Sequence, residues 1–221
     1  MPLIVATQRT DEWLEARKGK ITASHAAAIL GLHPRDGPLA AFNAITGITV
    51  KKPNGYMEWG REFESIARLA YEVHTGDLVW ETGFWISRTW PWLGASPDGF
   101  VGADGMLEVK CPSKLPVEIP IEHAIQMRVQ MEVCEKKWCD YFAWTHDAHY
   151  LARIHRDADS DEVLIRQLEA WHKEFIVANK KPPRRKNHGK EKTGKDGLVH
   201  DGEEGSSNGS PSHQVVADAV S

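Results

Sequence analysis

Hydrophobic and polar positions follow a helical spacing from Asp11 to Thr75 and a strand-like spacing from residue 78 to 111. Thr10 suits the N-cap of a helix over Asp11–Lys18, with Asp11 and Glu12 at its positive end. Short helices are predicted over Ser24–Leu30, closing near Gly31, and over Pro38–Thr46, stopped by Gly47. The strongest helix is Glu58–Thr75: Trp59, Phe63, Ile66, Ala67, Ala70, Val73 and His74 cover one face and Gly76 ends it. Strands follow over Val79–Ser87, Leu93–Ala95 and Gly99–Val101. A turn at Ala103-Asp104-Gly105 then leads into Met106–Cys111, which Pro112 breaks. A helix over Pro120–Glu135, strands over Trp138–Thr145 and Tyr150–His155, and an amphipathic helix over Asp159–Ala178 complete the pattern, with no internal repeat. The expected fold is α/β (α+β), a central mixed sheet flanked by helices.

The 221 residues suit one catalytic-sized domain with an appendage. Composition changes beyond Asn179, where Lys, Arg, Pro, Gly and Ser replace apolar residues. We therefore expect a folded domain over 1–182 and a disordered charged tail over 183–221. The net charge of −4 divides into −6 over residues 1–179, +6 over 180–200 and −4 over 201–221, so any DNA contact needs a local site rather than bulk attraction. Nine Trp suggest a substantial core. Three irregularly spaced Cys build neither a disulfide framework nor a structural zinc site, and no apolar run is long enough for a membrane span or signal peptide. A soluble protein of a reducing, cytoplasmic compartment is the expectation.

The informative stretch is Gly94-Ala95-Ser96-Pro97-Asp98-Gly99, followed by Leu107-Glu108-Val109-Lys110-Cys111-Pro112. Glu108 and Lys110 share one strand face while Val109 faces the other way, and pairing across the turn brings Asp98 near them. Two carboxylates and an ammonium converging in an apolar stretch are costly unless they act together. A hard divalent cation, Mg²⁺ with Mn²⁺ as substitute, would relieve the repulsion between the carboxylates. An E-x-K pair alone is a common surface ion pair; Pro97-Asp98 ten residues upstream of Glu108 makes it a candidate site.

The arrangement P-D-x9-E-x-K resembles the PD-(D/E)XK nuclease pattern, which implies a restriction-endonuclease-like core. Arg17–Ser24, Trp59–Glu64 with Ala67-Arg68, Gly94–Asp98, Glu108–Pro112 and Gln126 to Gln130 resemble, in order and spacing, the phage lambda exonuclease family, also called YqaJ-type viral recombinases. The likeness spans roughly residues 7–178. It implies a metal-dependent 5′→3′ exonuclease that degrades one strand of a linear duplex and leaves a 3′ single-stranded overhang for recombination. Carried over, Asp98, Glu108 and the Val109 carbonyl would hold Mg²⁺, Lys110 would hold or activate the attacking water, and Glu64 would complete the metal shell. Arg17 and Ser24 would bind the terminal 5′ phosphate, and Gln126 would support the active site, with Gln130 a weaker candidate.

The resemblance also implies double-stranded DNA ends as substrate, a single-strand-annealing partner protein, a ring-shaped homotrimer, and a phage or prophage source in a bacterial host. Glu62 competes with Glu64: the two lie on nearly opposite sides of a helix, the apolar stripe centres nearer Glu62, and the position relative to Gly60 favours Glu64. Ser24 could equally serve as an N-cap. Trp13, Trp85, Trp90, Trp92 and Trp138 read as packing residues, and the scattered His25, His33, His74, His123 and His155 form no metal site. Competing readings are an endonuclease or RecB-like nuclease module, and a catalytically inactive DNA-end-binding protein.

Overall fold

The computed structural model describes residues 3–8, 10–49 and 55–184, so nearly all of the expected tail, 183–221, lies outside the described residues. The helices are α1 (Asp11–Arg17), α2 (Ala26–Ile29), α3 (Pro38–Ile45), α4 (Gly55–Thr75), α5 (Ile121–Cys134) and α6 (Ala158–Trp171), the last continuing into a π-helical turn at His172–Val177. The strands are β1 (Leu3–Ala6), β2 (Ile21–Thr22), β3 (Val79–Trp80), β4 (Phe84–Ile86), β5 (Leu93–Ala95), β6 (Gly99–Val101), β7 (Gly105–Lys110), β8 (Trp138–Trp144) and β9 (His149–His155).

The strands form two sheets. One has the order β1-β4-β5-β2; the other has the order β3-β6-β7-β8-β9, with β7 and β8 parallel and the remaining pairs antiparallel. The expected single strand Val79–Ser87 therefore divides. Its first part pairs with β6 in the larger sheet, and its second pairs with β1 and β5 in the smaller one. Both parts are aromatic and β-branched, so their composition carries no sign that they part company beyond Gly83. The two-residue β2 and the N-terminal β1 are too short or too terminal for periodicity to announce.

Alternation along β7 sorts its side chains into two layers. Leu107 and Val109 pack with Ala67 and Tyr71 of α4, while Met106 packs with Met127 and Met131 of α5. α5 turns its other side, Ile125, Val129 and Val133, to a core with α2, α3, β5 and α6. α5 is thus packed on two sides, and the polar residues it carries inward become conspicuous.

α4 is less buried than its sequence suggests. Ala67 and Tyr71 are fully buried, but Ile66, Leu69 and Val73 are 47, 60 and 79% exposed. The packed line runs through positions 64, 67 and 71, rotated away from the stripe that apolar residue type alone picks out.

Candidate active site

The site is built where β6 and β7 meet. The antiparallel register pairs Gly99 with Leu107, and its continuation would set Pro97 opposite Val109. Proline has no N–H, so the ladder stops there. Asp98 Oδ2 takes the Val109 N–H instead, at 2.7 Å. Along a strand, a residue's N–H and C=O point to the same neighbour. The Val109 carbonyl thus faces the Asp98 side, where position 97 has no donor to offer it.

The loop before β6 is pinned from several directions. Gln8 Nε2 donates to the Pro97 carbonyl at 2.8 Å, and Arg68 Nη1 of α4 donates to the Asp98 carbonyl at 3.3 Å. Glycine is required on both flanks: a Cβ at Gly94 would lie 2.3 Å from the Phe84 ring, and one at Gly99 would lie 2.2 Å from Val79 Cγ1.

Glu108 points to the α5 side of the sheet. Gln126 Nε2 donates to its Oε1 at 2.7 Å and Gln130 Nε2 to its Oε2 at 2.8 Å, while the Lys110 ammonium pairs with Oε1. Glu108 and Lys110 therefore share a face, and Gln126 meets Glu108 there from α5. Gln130, the weaker expectation, is the more deeply placed of the two glutamines: it is buried, Gln126 only partly so.

Burial and the Glu108 charge hold the Asp98 carboxyl well above the usual carboxylate range, against the opposing pull of Lys110, with Glu64 adding to the rise. Burial disfavours the Lys110 charge, but Glu108 and Asp98 more than offset this, so its pKa lies above the ordinary lysine value. Cys111 is pushed up to about 11 by burial, Glu64 and Asp98, and so stays an unreactive thiol.

Glu64, half-buried on the packed line of α4, is close enough to act on both Asp98 and Cys111, whereas Glu62 is exposed. The helical-stripe argument for Glu62 fails because Ile66 and Val73, which define that stripe, face solvent. Among the described residues, no three His, Cys, Asp or Glu side chains close into a complete metal-ligand set. Mg²⁺ typically takes one or two protein carboxylates and keeps several waters. Asp98 and Glu108, two hard oxygen donors whose charges raise each other's cost, with the Val109 carbonyl beside them, fit that requirement.

A second cluster adjoins the first. Arg17 ends α1, and its guanidinium donates to Ser96 Oγ at 3.3 Å and to Thr22 Oγ1 at 3.4 Å, lying 4.2 Å from the centre of the Trp13 ring. Burial lowers its pKa to about 10. Ser24 Oγ is 3.0 Å from Thr22 Oγ1, and Ser24 is exposed. Ser24 is not an N-cap: it sits inside a one-turn helix, Ala23–His25, whose cap is Thr22, with the Thr22 N–H donating to His25 Nδ1. The expected Arg17–Ser24 pair is thus brought together through Thr22. Ser96, which also accepts from Trp13 Nε1 at 3.0 Å, stands two residues before Asp98 and joins the two clusters.

Sequence reasoning did not single out Thr22, Ser96, Arg68 as a brace of the Asp98 loop, or Gln8. Thr22, Ser96 and Arg68 carried a signal, their places inside the Arg17–Ser24, Gly94–Gly99 and Ala67-Arg68 stretches; Gln8 carried none. Trp85, Trp90 and Trp92 pack beside the core around α2, and Trp138 beside that under α4, as expected.

Residues 12–137 match the YqaJ-like viral recombinase domain, and the chain belongs to that family. Among solved structures, it is similar to an alkaline exonuclease (LHK-Exo) from Laribacter hongkongensis at 29% identity and TM-score 0.67, covering 77% of this chain and 94% of that one. A structure of LHK-Exo in complex with dAMP matches at 30% identity and TM-score 0.66 over the same shares. A phage-related exonuclease from Haemophilus somnus shares the fold at 15% identity and TM-score 0.57, over 72% of this chain and 95% of that one. No curated protein matches the chain. The family and the LHK-Exo likeness support a nuclease function, and the mixed sheets flanked by helices agree with the fold class expected. Among the described residues, no helix is long and apolar enough to cross a membrane.

Proposed function

We propose that this protein is a Mg²⁺-dependent exonuclease, with Mn²⁺ as substitute, that degrades the 5′-ended strand of linear double-stranded DNA and leaves a 3′ overhang for recombination. The observation that carries the reading is the junction at Ser96. It joins a guanidinium held by neutral hydroxyls, with its charge available to an anion, to the loop that carries Asp98. A site that grips a terminal phosphate beside the cutting centre selects an end and a polarity at once.

In this reading Asp98, Glu108 and the Val109 carbonyl hold the ion, with Glu64 reaching it directly or through water. The bound metal supplies a water of lowered pKa and neutralises charge on the phosphodiester. Gln126 and Gln130 fix the Glu108 carboxylate so that its oxygens need no reorganisation when phosphate arrives. Lys110, as an ammonium, orients the attacking water and donates to the phosphoryl oxygens on which negative charge builds. Arg17 grips the 5′ phosphate through its two terminal nitrogens, and the Ser24 hydroxyl adds a further donor.

Self-association into a ring and contact with a single-strand-annealing protein belong to the same reading. The exposed Ile66, Leu69 and Val73 of α4 offer an apolar surface for one of these contacts.

Comparing a linear duplex with a covalently closed circle, in Mg²⁺ and in EDTA, tests the proposal. Mg²⁺-dependent loss of the linear form with the circle intact is expected; nicking or linearising the circle would establish an endonuclease instead. Absence of cleavage of either DNA, in Mg²⁺ or Mn²⁺, would leave a DNA-end-binding protein.

A further inference from the structure

Four aromatic rings gather between the first turns of α4 and the turn after β8. Trp59 and Phe63, one helical turn apart, have centroids 4.1 Å from each other, and Phe63 stacks at 6.1 Å and 25° on Trp144. The His146 ring stands edge-on to all three, at 5.7 Å from Trp59, 4.9 Å from Phe63 and 5.1 Å from Trp144. Rings gathered this way usually exclude water as part of a core. Here Trp59 is 42% exposed, His146 is exposed, and Phe63 and Trp144 are half-buried. An open indole forgoes the stabilisation that its burial would bring.

Their position explains more than their packing does. Trp144 follows Ala143, the register partner of Lys110, on strands about 4.8 Å apart. Phe63 immediately precedes Glu64. Trp144 packs beside Leu107 and Val109, so the rings lie on the α4 side of the sheet, the face opposite Glu108 and Lys110, at the carboxyl ends of the parallel pair β7 and β8, where ligands are commonly received.

The geometry points to a base-stacking station: Trp59, backed by Phe63, Trp144 and His146, receives a nucleobase of the strand being cut. The inference rests on the nuclease reading above and deepens it. An enzyme that removes one strand of a duplex must unpair the end, and the freed base loses its stacking partner. A ring surface replaces that partner for any base, because every base has a π face. Continuity decides the occupant: through Phe63 and Trp144 the indole is joined to the strand beside Lys110. The aliphatic residues Ile66, Leu69 and Val73, better suited to a protein partner, lie farther along α4.

The test is a binding measurement on the full chain carrying Lys110→Ala, which keeps the DNA intact in Mg²⁺. Anisotropy would compare a 5′-phosphorylated duplex with one whose first two nucleotides on that strand are abasic. With Trp59 present, loss of the bases weakens binding by roughly tenfold. Trp59→Ala weakens binding of the intact duplex by a similar factor and shows no further loss on the abasic one, while Trp59→Phe keeps most of the difference. An unchanged intact-to-abasic ratio in Trp59→Ala overturns the proposal, as does a parent protein that does not distinguish the two duplexes. Circular dichroism checks folding. Should Trp59→Ala not fold, His146→Ala at the exposed edge is expected to reduce the ratio, and an unchanged ratio there overturns the proposal equally. Dissociation of an oligomer by Trp59→Ala, with the ratio intact, would assign the rings to a subunit contact and overturn it too. Failure of the nuclease reading is separate, because it appears as wild-type protein that releases no nucleotide in Mg²⁺ whatever the binding ratio.

Discussion

Gln130 Nε2 donates to Glu108 Oε2 at 2.8 Å, and both side chains are only 1% exposed. A carboxylate buried so deeply needs a fixed donor, and α5 supplies one to each oxygen. Gln130→Leu leaves Oε2 without its donor and should lower stability by about 1–3 kcal/mol. It should also raise the Mg²⁺ concentration for half-maximal cleavage by roughly 10–100-fold, in the manner of groups that orient metal ligands. Gln126→Ala, at a half-buried position that water can reach, should do less. A Mg²⁺ titration of the cleavage rate for each variant checks this, and equal metal dependence in Gln130→Leu and wild type would contradict it.

Glu64 faces Asp98 from α4, whereas Glu62 is exposed. Glu64→Gln should therefore reduce cleavage by at least tenfold while Glu62→Gln leaves it within about twofold of wild type, a contrast larger than ordinary surface substitutions produce. The reverse order of effects would move the acidic ligand to Glu62.

Much of this site is visible in the sequence because its residues are close together along the chain. Asp98, Glu108 and Lys110 belong to one hairpin, and strand alternation alone separates Glu108 and Lys110 from Val109. The meeting of Arg17 with Ser96 crosses 79 positions. It depends on the two-residue β2 pairing with β5, which is too short to leave a periodic trace. α4 misled for another reason: Ile66 and Val73 are apolar yet face water, so a stripe drawn by residue type turned the helix away from Glu64. The division of Val79–Ser87 between two sheets is likewise a tertiary choice that its composition does not encode.

The raised Asp98 pKa has a consequence for stability. A carboxyl whose pKa is higher in the folded state stabilises the fold while protonated, and that contribution is lost as pH rises through the folded value. Without metal at pH 8, the Asp98 carboxyl, buried beside Glu108, thus costs stability. Asp98→Asn should abolish cleavage yet raise the Tm in EDTA at pH 8, by roughly 2–4 °C for each kcal/mol relieved. The gap should close as pH falls below the unfolded value of about 3.9, where Asp98 becomes protonated in both states. Thermal melts across pH in EDTA check this, and a variant no more stable than wild type at pH 8 would contradict it.

Arg17 spends its hydrogen bonds on hydroxyls, so removing it should cost phosphate recognition more than cutting. Arg17→Ala is expected to lose roughly 10–100-fold in preference for 5′-phosphorylated over 5′-hydroxyl ends, the scale of hydrogen bonds to a charged group. Arg17→Lys should restore only part, because an ammonium lacks the planar fork. Initial rates on the two kinds of end give the ratio directly, and equal losses on both would deny Arg17 this role.

The central claim is that Lys110, Asp98 and Glu108 cut from a 5′-phosphorylated end. Its most direct measurement is a time course on a linear duplex with a 5′ phosphate at one end only and separately labelled strands, using wild type and Lys110→Ala in Mg²⁺. The account predicts mononucleotides released from the phosphorylated strand by wild type, with the opposite strand left intact and Lys110→Ala inactive. Release from the 3′ end, internal fragments, or undiminished activity in Lys110→Ala would contradict it.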